Sequence, residues 1–176
     1  MQNALNFDGG NDYVTFGDVD AIDGLSQFSF EAWVNAETFG QYERIFDKGD
    51  GATNMTALGF SNGSGGLQFY LRSGSNTVVP TQNNVLITNA WHHVAWVFDG
   101  TQTVSENRLK LYVDGLEQPL NYPGILLTVL ASNSESLYLG SGSENTHLLD
   151  GSLDEVRFWN RPLNCHEIEE HMNCEL

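Results

Sequence analysis

Basic residues are scarce in this chain: seven Lys and Arg stand against 23 Asp and Glu, a formal net charge of −16. A surface of that sign repels phosphate backbones and anionic lipid headgroups. It argues against nucleic acid or a membrane surface as partner and favours cations, neutral ligands or basic proteins. Long apolar runs are missing too. No stretch reaches the roughly 18 residues of a membrane helix, and the opening MQNALNFDGG lacks the basic and apolar regions of a secretory signal. Neither a span nor a signal peptide is therefore expected within these 176 residues. Cysteine is limited to Cys165 and Cys174, too few for a zinc site of the usual four-ligand spacing. A disulfide between them carries a condition: nine residues of helix rise about 13.5 Å, whereas bridged Cα atoms lie within about 7 Å. Any helix there must stop before Cys174 if the two are bonded.

What the chain does have is period-two patterning. Phe28, Phe30, Ala32 and Val34 alternate with Ser29, Glu31, Trp33 and Asn35, the pattern of a strand with one strongly apolar face. LQFYLR (67–72), HHVAWVFDG (92–100), RLKLYVDG (108–115), SLYLGSG (136–142) and LDEVRFWN (153–160) are likewise short, aromatic or β-branched, and most are closed by Gly, Asn or Asp. Asp114-Gly115 between a strand and a short return segment is a strong hairpin signal, and SNGSGG (61–66) reads as a longer hairpin connection. One helix is expected, through CHEIEEHM, with Asn164 as N-cap and Glu167 as its reciprocal partner after Pro162. No linker or repeat divides the chain, so residues 1–176 read as one all-β domain with a short C-terminal helix.

ALNFDGGNDYVTFGD, FSFEAWVN, WHHVAWVFDG, LKLYVDG, LYLGSG and LDGSLDEVRFWNRPLNCHEI occur in an order that resembles the laminin-G-like domains. These are relatives of the pentraxins and of the concanavalin A-like lectins and glucanases. The resemblance implies a two-sheet antiparallel jelly-roll sandwich, excised from a larger extracellular or cell-surface protein. It also implies a structural calcium, with Asp154 as one ligand and the 7–12 segment supplying the others: Asp8, Gly10 and Asp12. Calcium takes six to eight oxygens, and a glycine-rich loop next to carboxylates can present them.

Glucanase relatives hydrolyse polysaccharides with two carboxylates across the scissile bond. Glu31 stands alone in FSFEAWVN, and Asp154 and Glu155 are expected on opposite faces of a strand, so catalysis is not expected. The five histidines read as surface or hydrogen-bonded core residues, with His92 and His93 facing opposite sides. Binding remains. Aromatic residues that stack on sugars belong in loops or on an exposed sheet face, which points to Phe39, Tyr42 and Tyr70, with Arg44, Arg72, Asn54, Asn62 and Asn76 as directional polar partners. The expected function is recognition of a glycan or of a cell-surface or matrix protein by a monomeric module. The alternative is a spacer or protein-interaction domain without a glycan site.

Overall fold

The alternation seen in the sequence builds two antiparallel sheets face to face, their apolar sides turned inward. The computed structural model describes residues 3–61, 63–74, 76–122 and 124–173, the side chains of residues 76–78 and 144 excepted. In chain order the elements are β1 (Leu5–Asp8), β2 (Val14–Asp18), β3 (Gln27–Ala36), β4 (Arg44–Gly49), β5 (Asn54–Ser61), β6 (Gly66–Ser73), β7 (Asn76–Pro80), β8 (His92–Asp99), β9 (Leu109–Val113), β10 (Leu116–Gln118), β11 (Ser136–Leu139), β12 (Asp150–Trp159) and α1 (Cys165–Asn173). The terminal sheet has the order β1-β12-β3-β8-β9-β10, and the middle sheet the order β2-β11-β4-β5-β6-β7.

The core between them is aromatic. Phe46 stacks on Trp96 at 5.5 Å between centroids, and Phe30 and Phe69 approach Phe46 and Trp96 at 4.6 and 4.5 Å. Each fully buried aromatic ring is worth several kcal/mol against truncation, so this cluster fixes the separation of the sheets. The Asp114-Gly115 hairpin forms as its sequence predicts, both residues at positive φ, and the 61–66 segment joins β5 to β6. Helix α1 begins with the expected reciprocal cap: Glu167 N donates to Asn164 Oδ1 at 3.0 Å and Asn164 N to Glu167 Oε2 at 2.9 Å. The helix then lays Ile168 on Ala95, Val97 and Tyr112 on the outer face of the terminal sheet. Cys165 is exposed at its start, while Cys174 lies outside the described residues, and with it the expected disulfide.

Two features of β12 depart from the simple strand reading. Its pairing with β3 slips between Asp154 and Arg157, a bulge with Glu155 at φ 52°. The extra residue lets Leu153, Val156 and Phe158 all reach the core. The register of β1 on β12 sets Asp8 opposite Asp150.

Candidate functional site

The middle sheet turns Tyr138, Asp47, Ala57 and Tyr70 outward in one row, from adjacent strands β11, β4, β5 and β6. A flanking row runs Arg44, Gly59, Gln68, and another runs Gly49, Met55, Arg72. Among the described residues neither the terminal sheet nor α1 packs over this face, yet Arg44 is 4% exposed, Asp47 1% and Tyr70 4%. The side chains bury one another. Arg44 Nε donates to Asp47 Oδ2 at 3.1 Å, its NH1 donates to the Tyr42 carbonyl at 2.6 Å, and its guanidinium lies 3.9 Å above the Tyr70 ring. Gln68 donates to the Tyr70 hydroxyl, and the Arg72 guanidinium lies 5.4 Å from the same ring.

Local backbone explains how an arginine comes to lie flat there. A slip between Arg44 and Phe46 bulges β4, and Gly59 beneath it leaves room: a Cβ at that glycine would stand 2.2 Å from the Glu43 carbonyl. Tyr42 (φ 66°) and His147 (φ 53°), both in the left-handed region, face each other with rings 6.2 Å apart, and Arg44 N donates to the His147 carbonyl. Left-handed backbone at bulky residues is uncommon and costs of order 1–3 kcal/mol, so the surrounding structure must hold it. Burial pushes the Asp47 carboxyl up to about 7, against the pull of Arg44. Burial also raises the Tyr70 phenol, and burial with Arg44 nearby lowers His147. Asp47 Oδ1 and Arg72 Nε are buried without a hydrogen-bond partner. The face can therefore offer an acceptor and a guanidinium donor to a polar ligand in a partly dehydrated setting.

Of the ligand residues expected from sequence, Tyr42, Arg44, Tyr70 and Arg72 meet here. Tyr70 is not a stacking platform, because Arg44 already covers its ring. Phe39 is elsewhere: it packs 5.2 Å from Phe60 at the core edge, and its ring lies against Gly65. Asn54 bonds within its own turn, through Thr53 and Asp50. Asn62 and the Asn76 side chain lie outside what is described. Sequence reading passed over Asp47 and the edge-to-face pair Tyr13 and Tyr138, 5.7 Å apart, of which Tyr13 is 46% exposed. Tyr138 was legible as the outward residue of the alternating SLYL, had its two leucines been assigned to the core.

The expected metal set does not assemble. Asp154 stands four strand residues beyond Asp150, the partner of Asp8, a separation of about 13 Å along β12. Its Oδ1 accepts from the bulged Glu155 N–H at 2.9 Å instead. Asp8 Oδ1 accepts from Gly10 N at 2.8 Å and Asp12 Oδ2 from Asp8 N at 3.2 Å, so the loop satisfies itself. Three carboxylates do converge at Asp18, Asp20 and Asp23, but a cation is already beside them. The buried Lys48 ammonium donates to Asp18 at 2.8 Å and to the Asn133 and Glu135 carbonyls, and pairs with Asp23 at 3.2 Å.

Three further features bear on chemistry. Gly59-Phe60-Ser61-Asn62-Gly63 matches the G-x-S-x-G spacing. It lies at a strand-to-strand hairpin, not at the strand-to-helix turn that exposes a nucleophilic serine. Glu43 and Asp47 stand four apart on either side of the β4 bulge, and their surroundings are separate. Glu43 is bonded by Gly40, Asp150 and Thr38, and Asp47 by Arg44. Finally, an apolar crevice of about 630 Å³ opens between β1, β12 and β2, lined by Leu5, Phe16, Leu25, Leu137 and Phe158. It offers few polar groups to orient a sugar.

A family profile described as the concanavalin A-like lectin/glucanases superfamily, Laminin_G_3, matches residues 8–169, and the chain belongs to that family. No curated protein matches the sequence. Among solved structures it is similar to the CBM40 module of a Ruminococcus gnavus sialidase bound to α2,3-sialyllactose, at 12% identity and TM-score 0.72 over 96% of this chain and 95% of that one. It is also similar to domain 4 of the Geobacillus stearothermophilus arabinanase AbnA in complex with arabinotriose (18%, TM-score 0.70, 96% and 75%). Domains LG4-5 of mouse laminin α1 align at 17% and TM-score 0.64, over 93% of this chain and 44% of that chain. At these identities the likeness establishes the fold.

Proposed function

We propose that the chain is a non-catalytic glycan-recognition module of an exported multidomain protein, with its ligand on the outer face of the middle sheet. The observation that carries this reading is the buried, incompletely satisfied network of Arg44, Asp47 and Arg72 on the outer face of the middle sheet, over which neither the terminal sheet nor α1 packs among the described residues. Buried polar atoms without partners are costly, and a ligand hydroxyl or carboxylate would satisfy them. Tyr13 and Tyr138 supply an aromatic surface beside the network for the apolar side of a sugar ring. Two solved neighbours that hold a glycan, the sialyllactose-bound and arabinotriose-bound modules, support the same reading. The test is calorimetric titration with a panel of arabino-, galacto- and sialyl-oligosaccharides. Tyr138→Ala should weaken binding about fivefold to tenfold, whereas Phe39→Ala should lower stability and leave affinity unchanged. Absence of binding to every class would turn the reading toward a spacer or protein-interaction domain.

Calcium is the cofactor that the family implies. Donors suited to it lie at the end of the sandwich where β12 begins. Glu43 is 8% exposed with an unpartnered Oε2, its carboxyl pushed up to about 7 by burial and by Asp150, and Thr38 bonds Asp150 Oδ2 at 3.0 Å. Two carboxylates and a hydroxyl are ligands of the type a hard cation takes, and Glu43, Asp150 and Thr38 would hold it in place of Asp154. An ion binding only the folded state stabilises by about 2.7 kcal/mol at a hundred times its dissociation constant. Calcium should therefore raise the unfolding midpoint of the wild type and of Asp154→Asn, and not of Asp150→Asn. A shift lost only in Asp154→Asn would return the site to the closing strand.

A further inference from the structure

We infer that the ligand of the middle-sheet face carries a carboxylate on a sugar ring, as in a uronic or sialic acid, and that Arg72 receives it. This rests on the glycan-binding reading above. The argument comes from how the chain disposes of its few cations. Arg44 pairs with Asp47, Lys48 with Asp18 and Asp23, Lys110 with Glu117, Arg157 with Glu31 and Glu155, and Arg161 with Glu167. Among the described residues only Arg72 and Arg108 have no carboxylate within ion-pair distance, in a chain with 23 acidic residues. Arg108 is accounted for by two carbonyls, those of Gln102 and Leu126, at 2.9 and 2.7 Å. Arg72 bonds one carbonyl, Gly51 at 2.7 Å, and its Nε is buried and unpartnered.

Among the described side chains that charge is unmatched. Asp47, the carboxylate of the network, spends its Oδ2 on Arg44, and burial raises its carboxyl against the pull of Arg44, so two guanidiniums share at most one negative charge. Asp50 does carry its charge, but its oxygens are taken by the Ala52, Thr53 and Asn54 N–H groups and the Thr53 hydroxyl of its own turn. A planar guanidinium matches a carboxylate through paired N–H donors, with geometric specificity as well as charge. The global charge of −16 sets the opposite limit. A local cation inside an acidic field accepts a ligand with one charge and repels a polyanion. That combination selects a glycan with an isolated acidic ring and disfavours sulfated polysaccharides.

The experiment is calorimetry on matched pairs at constant ionic strength: sialyllactose against lactose, a glucuronic acid-terminated oligosaccharide against its glucose counterpart, and a heparin hexasaccharide as the polyanion. Each is titrated into the wild type, Arg72→Gln and Arg72→Lys, with the unfolding midpoint checking that the variants fold. The inference expects at least one acidic member to bind about tenfold or more tightly than its neutral partner, the scale of one charged hydrogen bond. It expects that preference to vanish in Arg72→Gln and to return in part in Arg72→Lys. Equal affinity for acidic and neutral members overturns the carboxylate and leaves glycan binding standing. Binding to none of them removes both. A preference for heparin, or an acidic preference that survives in a folded Arg72→Gln, places the anion's partner elsewhere and overturns the assignment.

Discussion

The two outer faces of the sandwich solve the same physical problem differently. Each buries charge where a sheet would ordinarily meet water. On the terminal sheet Glu31, 0% exposed, accepts from Trp159 Nε1 at 3.2 Å, faces Arg157 at 3.5 Å and pairs with His171 Nδ1 at 2.9 Å. His171 comes from α1, so the chain covers its own buried carboxylate with its own helix, and the Trp159 and His171 rings stack 5.1 Å apart above it. On the middle sheet Arg44 and Asp47 are as deeply buried, but among the described residues α1 has no counterpart over them; one carboxylate oxygen on each face, Glu31 Oε2 and Asp47 Oδ1, lacks a hydrogen-bond partner. The difference teaches where to look for function. A buried charge closed over by the protein serves the fold, whereas one held ready without a cover is available to something from outside.

The largest effect that could break this comparison lies on the closed face. Glu31→Ala leaves Arg157, His171 and Trp159 without their common acceptor, and removing one partner of a buried ion pair costs about 3–5 kcal/mol. At roughly 2–4 °C per kcal/mol for a domain of this size, the unfolding midpoint should fall by about 10 °C. Glycan affinity, measured below the new midpoint, should not change. A midpoint within a degree or two of the wild type would mean that α1 and its histidine contribute little, and the contrast between the faces would lose its basis.

A smaller and opposite response is expected on the open face. Replacing Arg44 and Asp47 together by Met and Leu removes the ion pair without leaving a lone charge. Such exchanges are often neutral or stabilising. Urea denaturation should put the double variant within about 1 kcal/mol of the wild type or above it, while oligosaccharide binding is lost. A double variant destabilised as much as Glu31→Ala would show that the open face also serves the fold.

How much of this was legible in the sequence follows from the same contrast. The aromatic strands β3, β8 and β9 announced themselves, because alternation of large apolar and polar residues is what a half-buried strand requires. RIFDKG and NMTALGFS, which became β4 and β5 at the centre of the middle sheet, did not. Charge is read as exposure, and Arg44, Asp47 and Lys48 are all buried by pairing. The candidate site was half visible for that reason: its arginines and tyrosines could be picked out by type, but not the carboxylate that joins them. Asp154 was drawn to the wrong neighbours because register is not written in residue type. One slipped residue at Glu155 and the pairing of Asp8 with Asp150 decide it. The capped helix was fully legible, since its signal is local.

The smallest expected effect separates the faces by pH. His93, buried on the terminal sheet near Arg157, is held down to about 4 by burial, so the unfolded chain binds its proton first. Its contribution to stability is present above the ordinary imidazole value of 6.5 and is lost as pH falls through 4. Asp47 runs the other way. Its carboxyl rises from 3.8 to about 7 on folding, so the folded chain holds the extra proton, and that contribution is full below 3.8 and lost as pH rises through 7. Between pH 6.5 and 8 folded Asp47 loses its proton, while His93 adds only the tail of the unfolded imidazole's titration. Unfolding free energies measured across that range should therefore decline less in Asp47→Asn than in the wild type, by on the order of 1 kcal/mol or less. Between pH 4 and 6.5 the rise owed to His93 should flatten in His93→Gln. If Asp47→Asn and the wild type run parallel above pH 6.5, Asp47 is ionised throughout and the open face holds a full ion pair. Arg72 would then face a full negative charge of the protein's own, and its call on an external carboxylate would weaken accordingly.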